Sequence, residues 1–307
     1  MDGGRMFGFL KWPGSITRIA LDPPTALPGR AGLAIVLIVR NEERHITEWA
    51  RFHALAGAAH FYVYDNGCRD GTLAALRAAL PEEVLTLLPW DQVLRDARSG
   101  REIHNQVLAY AHAVRNFGAR WRWMAFIDTD EFLVPVKADD LPGALAPLED
   151  CRNISLPWHM FGRSGHLVPP AGGMVANYLR RAADPMSNQR GVRNFKCIVD
   201  PCHVTGIGVH AIETDAKPET CNDKGEVFTH SSRNRRAFYS AAHLQLNHYY
   251  ARSEAEVAEK IGRGVFPSTK ITGHGRRVRR IVANIETDEV EDHVALDWLA
   301  RRQGVLT

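Results

Sequence analysis

Residues 123–135 have the sequence WMAFIDTDEFLVP, in which an apolar run stops at three carboxylates and then resumes. The run predicts a strand buried in a sheet, with Asp128 and Asp130 at its carboxyl end, where open α/β sheets bind their ligands. Two like charges this close repel each other, and a divalent cation would compensate them. Oxygen ligands favour Mg²⁺ or Mn²⁺ over zinc. The alternative is a solvated junction between a strand and a turn, the commoner meaning of an isolated D-x-D sequence.

The overall composition is that of a folded protein. The chain has 307 residues, of which 45% are hydrophobic and 24% are charged, and it can bury a large core in one domain or slightly more. A net charge of +3 is too small to indicate nucleic acid as a partner. Four arginines between residues 276 and 280 predict a solvated helix face, with phosphate or an anionic membrane surface as the alternative contact.

Two features favour a cytoplasmic protein, with peripheral contact at the inner face of a membrane as a further option. Residues 1–30 predict a loosely ordered arm, with no export signal and no run of about 20 apolar residues that could span a membrane. The cysteines are too few and too scattered for a disulfide framework, which favours a reducing compartment. A zinc site matches their spacing poorly, although the following residues offer suitable ligands: Cys197, Cys202, His203, His210 and Cys221.

Strand and helix patterns alternate from residue 33 onward, which predicts a parallel sheet built from right-handed crossovers. This is a Rossmann-like half of an α/β fold, and it places Arg40, Asp65 and the two aspartates on one rim. A carboxylate at the position of Asp65 commonly accepts hydrogen bonds from a nucleotide ribose or base. The predicted strands are Leu33–Val39, Phe61–Tyr64, Val84–Leu88 and Trp123–Ile127. The predicted helices cover residues 46–55, closed by Gly57, then 73–80, capped by Thr72, and 101–117.

The second half of the chain predicts shorter strands that extend the sheet. These are Asn153–Leu156, Met174–Arg180, Phe195–Val199 and Val204–His210. Lys196 would supply positive charge to a phosphate. A closing helix is predicted over Val290–Arg302 because its apolar residues recur at helical spacing.

An ordered set of motifs runs between residues 33 and 264. The motifs are Ile38–Glu43, Glu48–Trp49, His53, Gly57, Phe61–Asn66, Asp70–Thr72, Phe126–Phe132, Phe161–Gly162, Tyr178–Arg181, Lys196–Pro201, Val209–His210, Asn247–Tyr249 and Ser253–Lys260 with Gly262. Taken together, they resemble the GT-A glycosyltransferases of the family 2-like and family 92 type. Cys68 stands where such enzymes commonly have Ser, and Thr129 where a branched apolar residue is frequent. Both departures leave every carboxylate in place.

The resemblance implies a GT-A fold, a mixed sheet with a central parallel part flanked by helices, plus a C-terminal helical extension. It implies transfer of a sugar from a nucleoside-diphosphate sugar, of the UDP class, to a glycan or glycoconjugate, with inversion and with Mn²⁺ or Mg²⁺ as cofactor. The implied divisions are an arm (1–30), a glycosyltransferase domain (31–264) and an extension (265–307). Within the domain, residues 31–135 bind the nucleotide sugar and residues 136–264 form the acceptor half.

The resemblance also implies roles for individual residues. In the catalytic centre are Asp128, Asp130 and Glu131. The residues implied to bind the nucleotide-sugar donor are Arg40, Glu42, Asp65, Asn66, Asp70 and Lys196. The metal ligands are Asp128 and Asp130, with His248 as the first candidate for a third ligand and His210 as the second.

Two other functions remain open at this point. A metal-dependent nucleotidyltransferase would use the same carboxylates, but it normally has a glycine-rich phosphate loop, which this sequence lacks. A non-catalytic carbohydrate-binding module would not need both the D-x-D sequence and Asp65. The sequence does not identify a catalytic base, since Glu131 could serve as the base or could orient the loop.

Overall fold

The computed structural model describes residues 15–263 and 271–304, so residues 1–14 of the expected arm lie outside the described residues. The strands are β1 (Arg18–Ala20), β2 (Leu33–Val39), β3 (His60–Asp65), β4 (Leu85–Pro89), β5 (Trp123–Phe126), β6 (Glu131–Pro135), β7 (Asn153–Met160), β8 (Arg180–Ala182), β9 (Phe195–Val199), β10 (Val204–Gly208), β11 (Ile212–Thr214), β12 (Glu219–Cys221), β13 (Val227–Thr229), β14 (Leu244–His248) and β15 (Glu289–Glu291). The helices are α1 (Glu43–Leu55), α2 (Thr72–Ala79), α3 (Asn105–Phe117), α4 (Leu141–Leu145), α5 (Met174–Asn177), α6 (Glu254–Arg263), α7 (Ile271–Ile285) and α8 (Val294–Gly304).

The four strands predicted in the first half form the parallel part of the main sheet, in the order β4, β3, β2, β5. The central strand β2 is buried along almost its whole length, as its continuous apolar sequence predicts for a strand covered on both faces. In the register of the sheet, Val39 lies opposite Asp65, and Asp65 lies opposite Pro89. The carboxyl ends of these strands therefore share one rim.

Helix α1 is fixed to the strand after the D-x-D sequence by two buried side chains. The indole Nε1 of Trp49 donates to the carbonyl of Glu131 at 2.9 Å. The imidazole of His53 accepts from the backbone N–H of Leu133 at 3.1 Å, and its Nδ1 lies 2.8 Å from the carbonyl of Trp49. The helix ends before Gly57, whose φ of +88° explains why glycine stands there. The two side-chain contacts therefore fix the position of β6 against α1.

The second half adds antiparallel and parallel strands to the same sheet. Strand β9 pairs antiparallel with both β5 and β7, and β14 pairs antiparallel with β6 and parallel with β7. The mixed α/β sheet is thus confirmed. The pairing of β14 with β6 places His248 directly opposite Glu131.

Several predicted elements in the second half and at the ends of the chain are wrong or shifted. The segment 174–180 is not one strand, because helix α5 covers Met174–Asn177 and β8 starts at Arg180. The closing helix begins only at Val294, since residues 289–291 pair with β8. Strand β10 ends at Gly208, two residues early, and part of the expected arm forms β1, which pairs with β10.

The first half also needs two smaller corrections. Helix α3 begins at Asn105, four residues later than predicted. Thr72 is the first residue of α2, not its cap; Gly71 holds the capping position. The hydroxyl of Thr72 instead accepts from the backbone N–H of Glu42 at 2.8 Å, so it ties the two rim loops together.

The C-terminal helices pack on the body of the molecule. Trp298 of α8 is fully buried against Phe52, with ring centroids 4.9 Å apart. Arg276, Arg277, Arg279 and Arg280 are exposed together on α7, so the basic run does lie on a helix. In the two described ranges, no helix is both long and apolar enough to cross a bilayer.

The expectation about the cysteines is wrong in one respect. Cys151 and Cys221, 70 residues apart in sequence, form a disulfide beside the pairing of β7 with β12. The chain separation hides this pair from the sequence, whereas the parallel contact of Cys221 with Ile154 brings the two cysteines together. The disulfide also rules out Cys221 as a zinc ligand, and it removes the cysteine argument for a reducing compartment.

Candidate active site

The loop between β5 and β6 is a tight turn that Glu131 holds from inside the protein. Its carboxylate accepts from the backbone N–H of Asp128 at 2.8 Å, and its own backbone N–H donates to the carbonyl of Asp128 at 3.1 Å. The Glu131 side chain is 0% exposed, and one carboxylate oxygen has no hydrogen-bond partner among the described residues. Burial raises the pKa of Glu131 to about 7, against the opposing effect of Lys196. Glu131 therefore shapes the turn.

Asp128 projects from this turn into a polar cluster on the inner side of the rim. Lys196, only 2% exposed, places its Nζ 2.8 Å from Asp128 and 3.3 Å from Glu131. Burial opposes the charged lysine, yet the carboxylates hold the pKa of Lys196 well above its ordinary value. The Gln106 amide donates to Asp128 at 2.8 Å and to the Tyr110 hydroxyl at 2.7 Å. Asp128 is thus already charge-compensated by protein groups.

Asp130 faces the opposite way, into a cleft, with its side chain 14% exposed. Its Oδ2 lies 3.4 Å from His248 Nε2, 3.5 Å from Lys260 Nζ and 3.7 Å from Arg252 Nη2. Burial opposes ionisation, but His248 and the two cations keep the pKa of Asp130 well below its usual range. The carboxylate is therefore ionised and paired with two cationic side chains, Lys260 and Arg252.

This cleft has a volume of about 950 Å³ and runs between the loop after β2 and helix α6. Glu42 lines this cleft, and its carboxylate pairs with Arg252 at 3.2 Å and with Arg263 at 2.9 Å. The lining residues that carry charge are Glu42, Glu43, Arg44, Asp70, Asp130, Arg252, Glu256, Glu259, Lys260 and Arg263. The cleft is therefore lined by six carboxylates and four cationic side chains, which makes it polar and charged throughout.

The other residues that the resemblance implied for binding the nucleotide sugar lie along the same rim. Asp65 accepts from the backbone N–H of Cys68 at 2.7 Å, and Asp70 accepts from Glu43 and Thr72. Asn66 accepts from the Asn105 amide at 2.8 Å, and Asn105 is the chain neighbour of Gln106, which contacts Asp128. Arg40 is exposed just after β2. The rim prediction holds in position, while Asp65 and Asp70 also stabilise their own loop.

Among the described residues, no group of three or more His, Cys, Asp or Glu side chains is arranged to hold a metal ion. Asp130, which lines the cleft, and His248, buried behind it, nevertheless offer an oxygen and a nitrogen 3.4 Å apart, a pairing that Mn²⁺ accepts. This pair fits a hard cation that takes its other ligands from phosphates and water, as Mg²⁺ and Mn²⁺ commonly do. Asp128, engaged by Lys196 and Gln106, fits a contact through water.

His210, the second histidine candidate, lies beyond this pair. The Trp158 ring packs edge-on against both imidazoles, with centroids 4.4 Å from His248 and 5.2 Å from His210. Burial lowers the pKa of His210 to about 4, with Lys196 acting in the same direction, so the ring is neutral. Its closest charged neighbours belong to the Asp128 cluster, which makes it a weaker ligand candidate than His248.

Sequence reasoning missed three side chains that shape the site. Gln106 has the sequence context of an ordinary helix residue, and only the packing of α3 brings it to Asp128. Arg252 and Lys260 lie more than 100 residues from Asp130 in the sequence. One signal was available: Ser253 and Glu256 form a reciprocal capping box, with bonds of 3.0 and 3.3 Å, that starts α6. That cap predicts a helix that places Lys260 two turns from Arg252.

Comparison with known proteins identifies the family of the chain. The family model described as glycosyltransferase family 92 matches residues 38–263, and the chain belongs to that family. A family 92 protein of Oryza sativa subsp. japonica is 26% identical over 173 residues, which is 52% of this chain and 26% of the relative. A family 92 protein of Ricinus communis is 24% identical over 55% of this chain and 30% of its own length. A family 92 protein of Arabidopsis thaliana is 23% identical over 52% of this chain and 28% of its own length.

The chain covers less than a third of the length of these curated relatives. Among solved structures, one titled a mycobacterial protein aligns over 83% of this chain and 74% of its own at 14% identity. Its TM-score of 0.37 is too low for that alignment to carry a conclusion about fold or function.

Proposed function

We propose that this protein is a glycosyltransferase that moves a sugar from a nucleoside-diphosphate sugar, of the UDP class, to a glycan or glycoconjugate with inversion at the anomeric carbon. The observation that carries the proposal is the position of Asp130. Its ionised carboxylate lies in the turn after the parallel strand β5, faces a large cleft, and has His248, Lys260 and Arg252 within 3.7 Å. The strand order of the parallel half supports a GT-A arrangement for residues 31–264.

The chemistry of the donor explains why these groups belong together. As the anomeric bond breaks, negative charge grows on the departing diphosphate, and an active site must stabilise it. Lys260 and Arg252 are cations at the cleft that would contact this diphosphate. A divalent cation held by Asp130 and His248 would supply Lewis-acid stabilisation of the same charge.

The nucleoside end of the donor would extend along the rim toward Asp65 and Asn66. Both residues lie where β3 ends at the carboxyl edge of the sheet, where a ribose or base is commonly bound. The Asn66–Asn105 bond and the Gln106–Asp128 bond join that part of the rim to the turn after β5. Lys196 holds Asp128 in place rather than reaching the cleft, because its Nζ is enclosed by Asp128 and Glu131.

An acceptor carried on a membrane would meet the basic face of α7. Arg279 is exposed there and pairs with Glu254 at the start of α6 at 3.2 Å. Leu167, which is 76% exposed, lies beside the same turn because its carbonyl accepts from the N–H of Ala255. Basic residues next to an exposed apolar side chain suit an anionic lipid surface. Cosedimentation with vesicles containing phosphatidylserine, compared with phosphatidylcholine vesicles, tests this contact.

The activity is tested by incubating the protein with UDP-sugars and GDP-sugars, Mn²⁺ and a panel of p-nitrophenyl glycosides. Release of nucleoside diphosphate together with a product heavier by one sugar supports the proposal. Repeating the assay with EDTA, and then restoring Mn²⁺, tests the cation separately. No release from any sugar nucleotide would contradict the transferase, and pyrophosphate released from a nucleoside triphosphate would favour a nucleotidyltransferase.

A further inference from the structure

A second, smaller cleft opens beside the large one. It has a volume of about 370 Å³ and is bounded by α1 and by the loop that leads into α5. Its lining includes Glu48, Arg51 and Tyr178, and it shares Arg44 and His45 with the larger cleft. A ligand in the smaller cleft would therefore meet a ligand in the larger one at His45.

The two ring nitrogens of His45 have different surroundings. Nε2 lies 2.5 Å from Glu256 Oε1. Within residues 15–263 and 271–304, Nδ1 has no hydrogen-bond partner. This nitrogen is not fully enclosed by the protein. The side chain as a whole is 11% exposed. Solvent, or a bound hydroxyl, therefore reaches Nδ1 while Nε2 is held from behind.

Glu256 is a well-fixed partner for this imidazole. Its second oxygen accepts from the Tyr178 hydroxyl at 3.0 Å, from the Ser253 hydroxyl at 2.7 Å and from the Ser253 backbone N–H at 3.0 Å. Burial opposes its charge, but the bonds from His45 and Ser253 lower the pKa of Glu256, so it is ionised. An ionised carboxylate keeps the hydrogen of a neutral imidazole on Nε2 and leaves the Nδ1 lone pair free.

We infer that His45 is the general base of the transfer and that the smaller cleft binds the acceptor sugar, an inference that rests on the proposed function. The acceptor hydroxyl oxygen forms the new bond to the anomeric carbon of the donor sugar. The bond from that carbon to the diphosphate oxygen breaks, and its electron pair leaves with the diphosphate. The hydroxyl proton passes to Nδ1 of His45 and later to solvent.

The position of His45 relative to the donor groups supports this assignment. Arg252 spans the gap, with Nη2 3.7 Å from Asp130 and Nη1 4.0 Å from Glu256. The base and the diphosphate site are therefore separated by one side chain. Glu131, the carboxylate next to Asp130 in sequence, is fully enclosed and cannot reach an acceptor hydroxyl.

Other charged groups around the dyad also come from α1 and α6. Arg44 lies 3.7 Å from Glu256 and 3.5 Å from Glu259, at the mouth shared by the two clefts. Both arginines, Arg44 and Arg252, favour the ionised form of Glu256. They are also placed to attract a polar acceptor.

The test compares His45→Gln and His45→Ala with the control His293→Gln. His293 also lies beside a glutamate, Glu291 at 3.6 Å, but it lines neither cleft. With the donor and p-nitrophenyl glycoside that react in the screen above, His45→Gln is expected to lower kcat by about 10²-fold, the usual contribution of a general base. Binding of UDP with Mn²⁺, measured by calorimetry, is expected to stay within about twofold. Added imidazole is expected to restore part of the rate of His45→Ala.

A separate substitution, at Arg51, tests whether the smaller cleft binds the acceptor. Arg51→Ala is expected to raise KM for the acceptor several-fold and to leave UDP affinity unchanged, because Arg51 lines only that cleft. A His45→Gln rate equal to that of His293→Gln, or a His45→Ala loss that imidazole does not restore, overturns the role of His45. An unchanged acceptor KM in Arg51→Ala overturns the subsite. A wild-type protein that transfers no sugar overturns the proposed function itself, a distinct result.

Discussion

The Nζ atom of Lys196 lies 2.8 Å from Oδ2 of Asp128 although the lysine is almost fully enclosed. The same nitrogen is 3.3 Å from Glu131, which is also fully buried. A buried charge is expensive unless it is paired, so this lysine is what permits two carboxylates to lie in and after the turn between β5 and β6. The site therefore depends on a residue that lies 68 positions further along the chain.

Replacing Lys196 with Met should destabilise the protein, since it removes the partner of a buried carboxylate. We expect the free energy of unfolding to fall by about 3 kcal/mol, the lower end for breaking a buried pair, because the Asp128 side chain is 35% exposed and partly screened by water. Urea denaturation measures the change. Lys137→Met, at an exposed lysine, should change stability by less than about 0.5 kcal/mol. Equal effects in the two variants would contradict the prediction.

Asp130→Asn should remove the charge that faces the cleft without disturbing the fold. We expect turnover to fall by about 10²-fold or more, as for other preorganised electrostatic groups. The circular dichroism spectrum should keep its wild-type shape, whereas the melting temperature should fall, because Lys260 and Arg252 lose their charge partner. Asp139→Asn, at an aspartate outside the cleft lining, serves as the control. Wild-type rates in Asp130→Asn would remove Asp130 from the site.

Much of the sheet could be predicted because its strands carry strong local signals. Strand β2 is a continuous apolar run of seven residues bounded by Gly32 and Arg40, and its limits are those that the apolar run predicts. The Rossmann-like alternation then fixes which strand ends share a rim, so the sequence alone predicts that Asp65 and Asp128 lie near one edge of the sheet.

The remainder depends on contacts between distant parts of the chain. Lys260 and Arg252 meet Asp130 only because α6 packs over the rim, and no local pattern near residue 130 encodes that contact. The strand prediction for residues 174–180 is wrong because Met174–Asn177 is a single helical turn whose N–H groups are held by the distant Glu48. Tertiary hydrogen bonds of this kind override local propensity.

The buried imidazole of His53 should make stability fall in acid. Burial lowers its pKa to about 3, whereas in the unfolded chain it titrates near the ordinary value of about 6.5. The stability that neutral His53 contributes is therefore fully present above about pH 6.5 and is lost as the pH falls through the window between the unfolded and folded values, by up to about 1.4 kcal/mol per pH unit.

The measurement is the free energy of unfolding of wild type and of His53→Gln between pH 7 and pH 4. Glutamine keeps an acceptor for the Leu133 N–H, which the imidazole accepts at 3.1 Å, but it does not titrate. The variant is expected to be less stable at pH 7 and to lose less stability on acidification. Parallel curves for the two proteins would show that the pKa of His53 does not differ between the folded and unfolded states.

The Cys151–Cys221 disulfide predicts a specific thiol count. Under denaturing conditions without reductant, a thiol reagent should find three free cysteines, which are Cys68, Cys197 and Cys202, and five after reduction. Because the crosslink closes a loop of about 70 residues, the Cys151→Ser/Cys221→Ser protein should lose about 2–4 kcal/mol of stability relative to the oxidised wild type. Reduced wild type should match the double variant. Five reactive thiols in protein purified without reductant would show that the pair is not joined, and would restore the argument for a reducing compartment.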